Sequence, residues 1–130
     1  MIIDTSAVVA ILLDEPERRV FLNAIVSSAS PRISAATLLE SAVVVDRRQD
    51  PTLSRALDTL LERLAVEIVP VDQEQARIGR AAYSDFGRGS GHPAGLNYGD
   101  CFAYALASAT GAPLLFKGDD FGHTDLIPAV

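Results

Sequence analysis

The chain has no tryptophan, one methionine, one cysteine and two histidines among its 130 residues, and aromatic side chains make up only 6%. A lone thiol, Cys101, excludes an internal disulfide and so the disulfide-stapled architecture of small secreted domains. Neither His92, in a glycine-rich stretch, nor His123, near the end, has a second His or Cys at ligand spacing, which excludes a zinc site of that kind. No apolar run approaches the ~20 residues needed to cross a bilayer. Even Leu38 to Val45 is interrupted by Glu40 and Ser41. No basic-then-apolar leader precedes the first apolar run. These shortages predict a soluble protein of the reducing cytoplasm, without a membrane partner. Positive charge is scarce as well: seventeen acids against eleven bases give a net charge of −6. A protein held to nucleic acid by phosphate contacts usually carries a basic face, so bulk charge does not point to one.

What is present is globular. Hydrophobic residues at 48% and charged residues at 22% exclude a disordered or fibrous chain. The length predicts one domain, residues 1–130, with a single respectable core. Apolar runs and helical periodicities alternate along it. Met1–Ile3 reads as a buried strand entering a helix over about Ala7–Leu13, capped by Thr5 or Ser6. Pro16 suits the first turn of a second helix to about Ser28. Arg32–Ser34 reads as a strand, Ala36 to about Arg48 as a helix, Thr52–Ala65 as a Leu-striped helix and Val66–Val71 as a strand. Asp72 caps a helix to about Phe86. Gly87–Leu96, with four glycines, is a loop long enough to suggest function. It delivers the chain to an Asn97–Ala109 helix, a Pro113–Phe116 strand and an irregular tail with one short edge strand.

This order predicts an α/β fold with a mostly parallel sheet of four or five strands covered by helices on both faces. Ligands of such sheets bind beyond the carboxyl ends of the strands. Asp4 follows the first strand, Glu40 comes shortly after the second, and Asp119 and Asp120 follow the last. Asp100 joins them if the long loop brings its helix back to that edge. Each acid also has an ordinary role: Asp4 as a cap, Asp100 as a dipole complement, Asp119-Asp120 as turn chemistry. Glu40 is harder to explain so, because Leu38, Leu39, Ala42 and Val43 surround it and a lone buried carboxylate is costly. A shared cation accounts for all of them. Carboxylates without clustered His or Cys suit hard ions, Mg²⁺ or Mn²⁺. The chemistry most consistent with such a site is phosphodiester hydrolysis. Ten of the eleven bases are Arg, which grips phosphate well. Lys117 and Arg88 flank the acids in sequence and are the candidate RNA contacts. Tyr83, Phe86, Tyr98 and Phe102 are the few aromatics available to stack bases.

The strings MIIDTSA, ATLLES, LNYGDCFAYALA and PLLFKGDDF resemble the PIN-domain family of metal-dependent ribonucleases, and within it the VapC toxins of toxin–antitoxin pairs. The resemblance runs from Met1 to about Leu126. It implies a three-layer α/β/α sandwich and a Mg²⁺- or Mn²⁺-dependent endoribonuclease. RNA as the substrate rests on this resemblance. Asp4, Glu40 and Asp100 fall on the family's motif acids. The resemblance favours Asp120 as the fourth, with Asp119 assisting. Ser6 belongs to the DTSA string, and Asn97 either caps its helix or bonds a ligand carboxylate. The implied partners are a VapB-like antitoxin, lying over apolar surface near Leu12, Phe21 and Leu39, and a second copy in a homodimer. Two rivals stand beside this reading: a receiver-like phosphoacceptor domain using Lys117, and a catalytically silent binding module of the same fold.

Overall fold

Four short segments pair in parallel in the computed structural model, which describes all of residues 1–130: β1 (Ile2–Ile3), β2 (Arg32–Ser34), β3 (Glu67–Val69) and β4 (Leu114–Leu115). Their order in the sheet is β3-β2-β1-β4, with Ile2 opposite both Arg32 and Leu114, and Ile33 opposite Ile68. Successive strand side chains point to opposite faces, so two cores form. Ile3, Ile33 and Leu115 pack with Ala7, Ile11, Phe21, Ile25, Leu57 and Leu61 on one face. Ile2 and Leu114 pack with Ala82, Leu96, Ala103, Leu106 and Phe121 on the other. The expected three layers therefore follow from two pairs of adjacent apolar residues, one on β1 and one on β4. Full burial of each such side chain contributes about 1.5–3 kcal/mol.

The helices are α1 (Thr5–Leu12), α2 (Arg18–Ser27), α3 (Ala35–Asp46), α4 (Pro51–Arg63), α5 (Gln73–Phe86) and α6 (Asp100–Thr110). None is long and apolar enough to cross a membrane. Several boundaries differ from expectation, each for a local reason. Asp4, not Thr5 or Ser6, caps α1, because its extended backbone leaves Oδ2 free to accept the Ser6 N–H at 2.9 Å. Pro16 lies in the turn before α2, after Asp14 takes a left-handed φ of 56°. The third strand is three residues rather than six; Pro70 has no N–H to continue the ladder, and this edge strand leaves Ile68 half exposed. Helix α6 starts at Asp100 rather than Asn97. The tail's edge strand reduces to one bridge between Leu114 and Pro128, preceded by a 3-10 turn at Phe121–His123. Phe21, expected on a partner-facing surface, is 3% exposed and belongs to the core, whereas Leu39 is 66% exposed.

The Gly87–Leu96 loop is closed at its neck: Arg88 N–H bonds Leu96 O and Leu96 N–H bonds Phe86 O, both at 2.9 Å. Ala94 and Leu96 are buried against α6. The loop thus delivers the start of α6 to the carboxyl edge of the sheet.

Candidate active site

Asp4 leaves β1 directly into α1 and is 4% exposed. Its Oδ2 accepts both the Ser6 N–H and the Ser6 hydroxyl, the latter at 2.6 Å. The same Ser6 Oγ accepts the Lys117 backbone N–H at 2.9 Å. One hydroxyl therefore ties the ends of β1 and β4 together around the carboxylate. Glu40 sits in the second turn of α3, half-buried. The Thr5 hydroxyl donates to its Oε2 at 3.0 Å. That hydroxyl has one proton, and the charged acceptor is the stronger claimant over the Thr37 carbonyl at 3.4 Å. The Thr37 carbonyl is served instead by Ser41 Oγ at 2.8 Å. Asp100 and Asn97 bond reciprocally: Asn97 N–H to Asp100 Oδ2 at 2.8 Å, and Asp100 N–H to Asn97 Oδ1 at 2.9 Å. This reciprocal pair of bonds closes the turn that leads into α6.

Gly99 was absent from the sequence-based candidates and is decisive in the geometry. A Cβ at this position would lie 2.6 Å from both carboxylate oxygens of Glu40. The Glu40 head therefore rests in a space that any side chain at position 99 would fill. Its only sequence signal was the GD pair in LNYGDCF.

The electrostatics join these groups. Burial pushes the Asp4 carboxyl up, against the opposing Ser6 bonds, and the Asp120 charge adds to the rise. Burial raises Glu40 too, opposed by the Thr5 hydroxyl and reinforced by Asp4. Asp100 is pushed up to about 6, first by burial and then by Asp4, Glu40 and Asp120, against the Asn97 N–H bond. Asp119 and Asp120 are both exposed, but only Asp120 contributes charge at Asp4 and Asp100. The protein's three ion pairs, Arg18–Asp14, Lys117–Glu15 and Lys117–Glu17, leave all four acids without a basic partner.

Lys117 and Arg88 are not brought to this cluster by their charged ends. Lys117 Nζ is drawn to Glu15 at 2.5 Å and Glu17 at 3.1 Å. Arg88 is exposed on the loop, with only its backbone N–H engaged.

The fit to a divalent ion is one of chemistry and charge. Three or more His, Cys, Asp or Glu side chains do not close into a ligand cage. Ser6, Thr5 and Asn97 each hydrogen-bond one of them, Asp4, Glu40 and Asp100 respectively. The donor set is all oxygen, uncompensated by any base, and Gly99 keeps room for Glu40. Those properties suit a hard cation.

A family model for the PIN domain matches residues 1–126. The chain belongs to the PIN domain family. Its relatives place it in the VapC branch of that family. Ribonuclease VapC28 of Mycobacterium tuberculosis is 55% identical over 124 residues, covering 95% of this chain and 93% of that protein. Ribonuclease VapC42 of the same organism is 50% identical over 129 residues, covering 99% and 98%. Among solved structures, M. tuberculosis VapC20, described as a sarcin–ricin loop cleaving toxin, superposes with a TM-score of 0.73 at 16% identity over 97% of this chain and 95% of that one. A toxin–antitoxin complex from Klebsiella pneumoniae gives 0.70 at 18% identity, over 92% and 88%. These two likenesses show that the PIN fold expected from the motifs is the fold adopted. Membership in the PIN family removes the receiver-domain alternative. The pairing of Lys117 with Glu15 and Glu17 argues the same way.

Proposed function

We propose that this PIN-domain chain is the endoribonuclease toxin of a toxin–antitoxin pair, hydrolysing RNA phosphodiester bonds with Mg²⁺ or Mn²⁺ held by Asp4, Glu40, Asp100 and Asp120. The observation that carries the reading is the gathering of carboxylates from four separated segments at one sheet edge, with no base to neutralise them. Uncompensated, partly desolvated like charges are unfavourable, and a bound cation relieves them. The chemistry such an ion supplies is acidification of water and charge neutralisation at the scissile phosphate. The chain's own residues hold the ligands in place. Ser6 fixes Asp4, Thr5 fixes Glu40, and the Asn97 N–H fixes Asp100. Asp119, beside Asp120, would assist from its place next to that ligand.

The antitoxin would be a VapB-like protein. Its surface excludes Phe21. It includes Leu12, which lines a groove between α1 and α4 rimmed by Arg18, Arg55 and Arg63, a setting that suits an apolar segment carrying acids. A homodimer belongs to the same reading.

The test is cleavage of total cellular RNA by the purified, partner-free protein with Mg²⁺ or Mn²⁺, against EDTA and against folded Asp4→Asn and Asp100→Asn variants. Discrete fragments that require both metal and carboxylates are expected. A folded, metal-binding protein that cuts no RNA with either ion overturns the nuclease and leaves the silent binding module.

A further inference from the structure

A cavity of about 350 Å³ opens between α5 and α6, lined by Gln75, Gly79, Arg80, Tyr83, Tyr98 and Phe102 among others. The acids and the cavity share one feature, the beginning of α6. Tyr98 precedes Gly99, whose backbone meets Glu40, and Phe102 lies within the same turn as Asp100. The volume is that of a small-ligand site. Its wall is aromatic: Tyr98 and Phe102 stand edge to face with ring centroids 5.0 Å apart at 88°. Tyr98 is 77% exposed and Tyr83 44%, unusual for large rings in a chain with 6% aromatics.

Three further observations select the ligand. Gly79 forms part of the lining where a Cβ would approach the Cys101 carbonyl to 3.3 Å, so the helices pass closely without a side chain closing the space. Gln75 is 5% exposed, and its Nε2 donates to the Pro70 carbonyl at 3.0 Å. That bond fixes the amide's orientation and leaves Oε1 buried without a partner, an acceptor suited to an exocyclic amine. Arg80 takes part in none of the ion pairs and remains available to a phosphate. A flat ring with a π-face, amine donors and an attached phosphate is a nucleotide.

We propose that this cavity receives one unpaired nucleobase of the RNA, stacked on Tyr98 and flanked by Arg80, next to the bond that the acids address. The inference rests on the ribonuclease reading and adds to that site a pocket for one base that has left its stack.

The chain offers a direct readout. It has three tyrosines and no tryptophan, and two of those tyrosines line the cavity. Titration of the whole protein in EDTA with a short single-stranded RNA should quench tyrosine fluorescence, and an abasic oligomer of equal length should not. Tyr98→Ala should weaken RNA binding about tenfold, since one base stack contributes on that scale. Tyr98→Phe should restore it. Equal binding of abasic and normal oligomers, or a folded Tyr98→Ala with unchanged affinity, overturns the proposal. So does a Tyr98→Ala that only converts a two-copy species to one by light scattering, because the face is then an interface between copies. Base-dependent binding by a protein that never cuts RNA would retain the pocket and reject the ribonuclease; metal-dependent cutting indifferent to Tyr98 would do the reverse.

Discussion

Replacing Gly99 by alanine separates the site from the fold with a single methyl group. Gly99 has φ −63° and ψ −41°, a right-handed helical conformation that alanine adopts without strain. Gly→Ala at such a position stabilises by about 0.4–1 kcal/mol through the unfolded chain. The new Cβ would stand 2.6 Å from both Glu40 carboxylate oxygens, so the carboxylate must retreat by roughly 1 Å to reach ordinary contact near 3.5 Å. Retreat is feasible because the clashing atoms end a flexible side chain. It breaks the Thr5–Glu40 bond of 3.0 Å, a loss of about 1 kcal/mol that nearly offsets the backbone gain. Net stability should move by less than about 1 kcal/mol, or within ~5 °C in Tm. Activity should fall far more, because a misplacement of about 1 Å costs on the order of 10²-fold in rate. The assay pairs thermal unfolding with initial rates of RNA cleavage in Mg²⁺ or Mn²⁺. Adding Glu40→Asp, one methylene shorter, should recover part of the loss, and that coupling identifies the contact. A folded Gly99→Ala that cleaves within about threefold of the parent would refute the reasoning.

Ser6→Ala removes a hydroxyl that bonds both buried Asp4 and the Lys117 backbone; a loss of about 1–3 kcal/mol in denaturant unfolding is expected, since a buried carboxylate loses a donor, and an unchanged midpoint would reject the clamp. Metal-free stability should fall as pH rises from about 4 to about 6. Asp100 keeps its proton to about pH 6 when folded but releases it near 3.8 when unfolded, so its contribution is full below pH 4 and lost as pH passes 6. Asp4 and Glu40 shift the same way. Melting scans in EDTA should show this slope flattened in Asp100→Asn; an equal slope in both proteins would reject the assignment. Phe21→Ala should cost about 3–5 kcal/mol, and exposed Leu39→Ala under about 0.5; comparable losses in chemical denaturation would contradict the burial assigned to Phe21.

Much of the fold was legible because its signals are local. Apolar pairs such as Ile2-Ile3 and Leu114-Leu115 mark a sheet buried on both faces, and acids directly after strands fall on one edge by topology. Helix starts were less legible, since Asp4, Thr5 and Ser6 are all competent caps and only backbone conformation selects among them. Phe21 was misplaced because an apolar residue on a helix reads alike whether it meets the sheet or a partner. Lys117 was placed by its position after the last strand, yet its charge finds Glu15 and Glu17.

The sequence by itself determined the alternation of strands and helices, the all-oxygen chemistry of the acids, and membership in the PIN family. Those depend on residue type and short-range spacing. Only the tertiary structure decided that Thr5 holds Glu40 across 35 residues, that Ser6 joins Asp4 to the backbone of Lys117 across 111, and that Gly99 makes room for a carboxylate from another helix. Such contacts arise from how packed elements meet. No local propensity encodes which distant group will fill the space left by a missing Cβ.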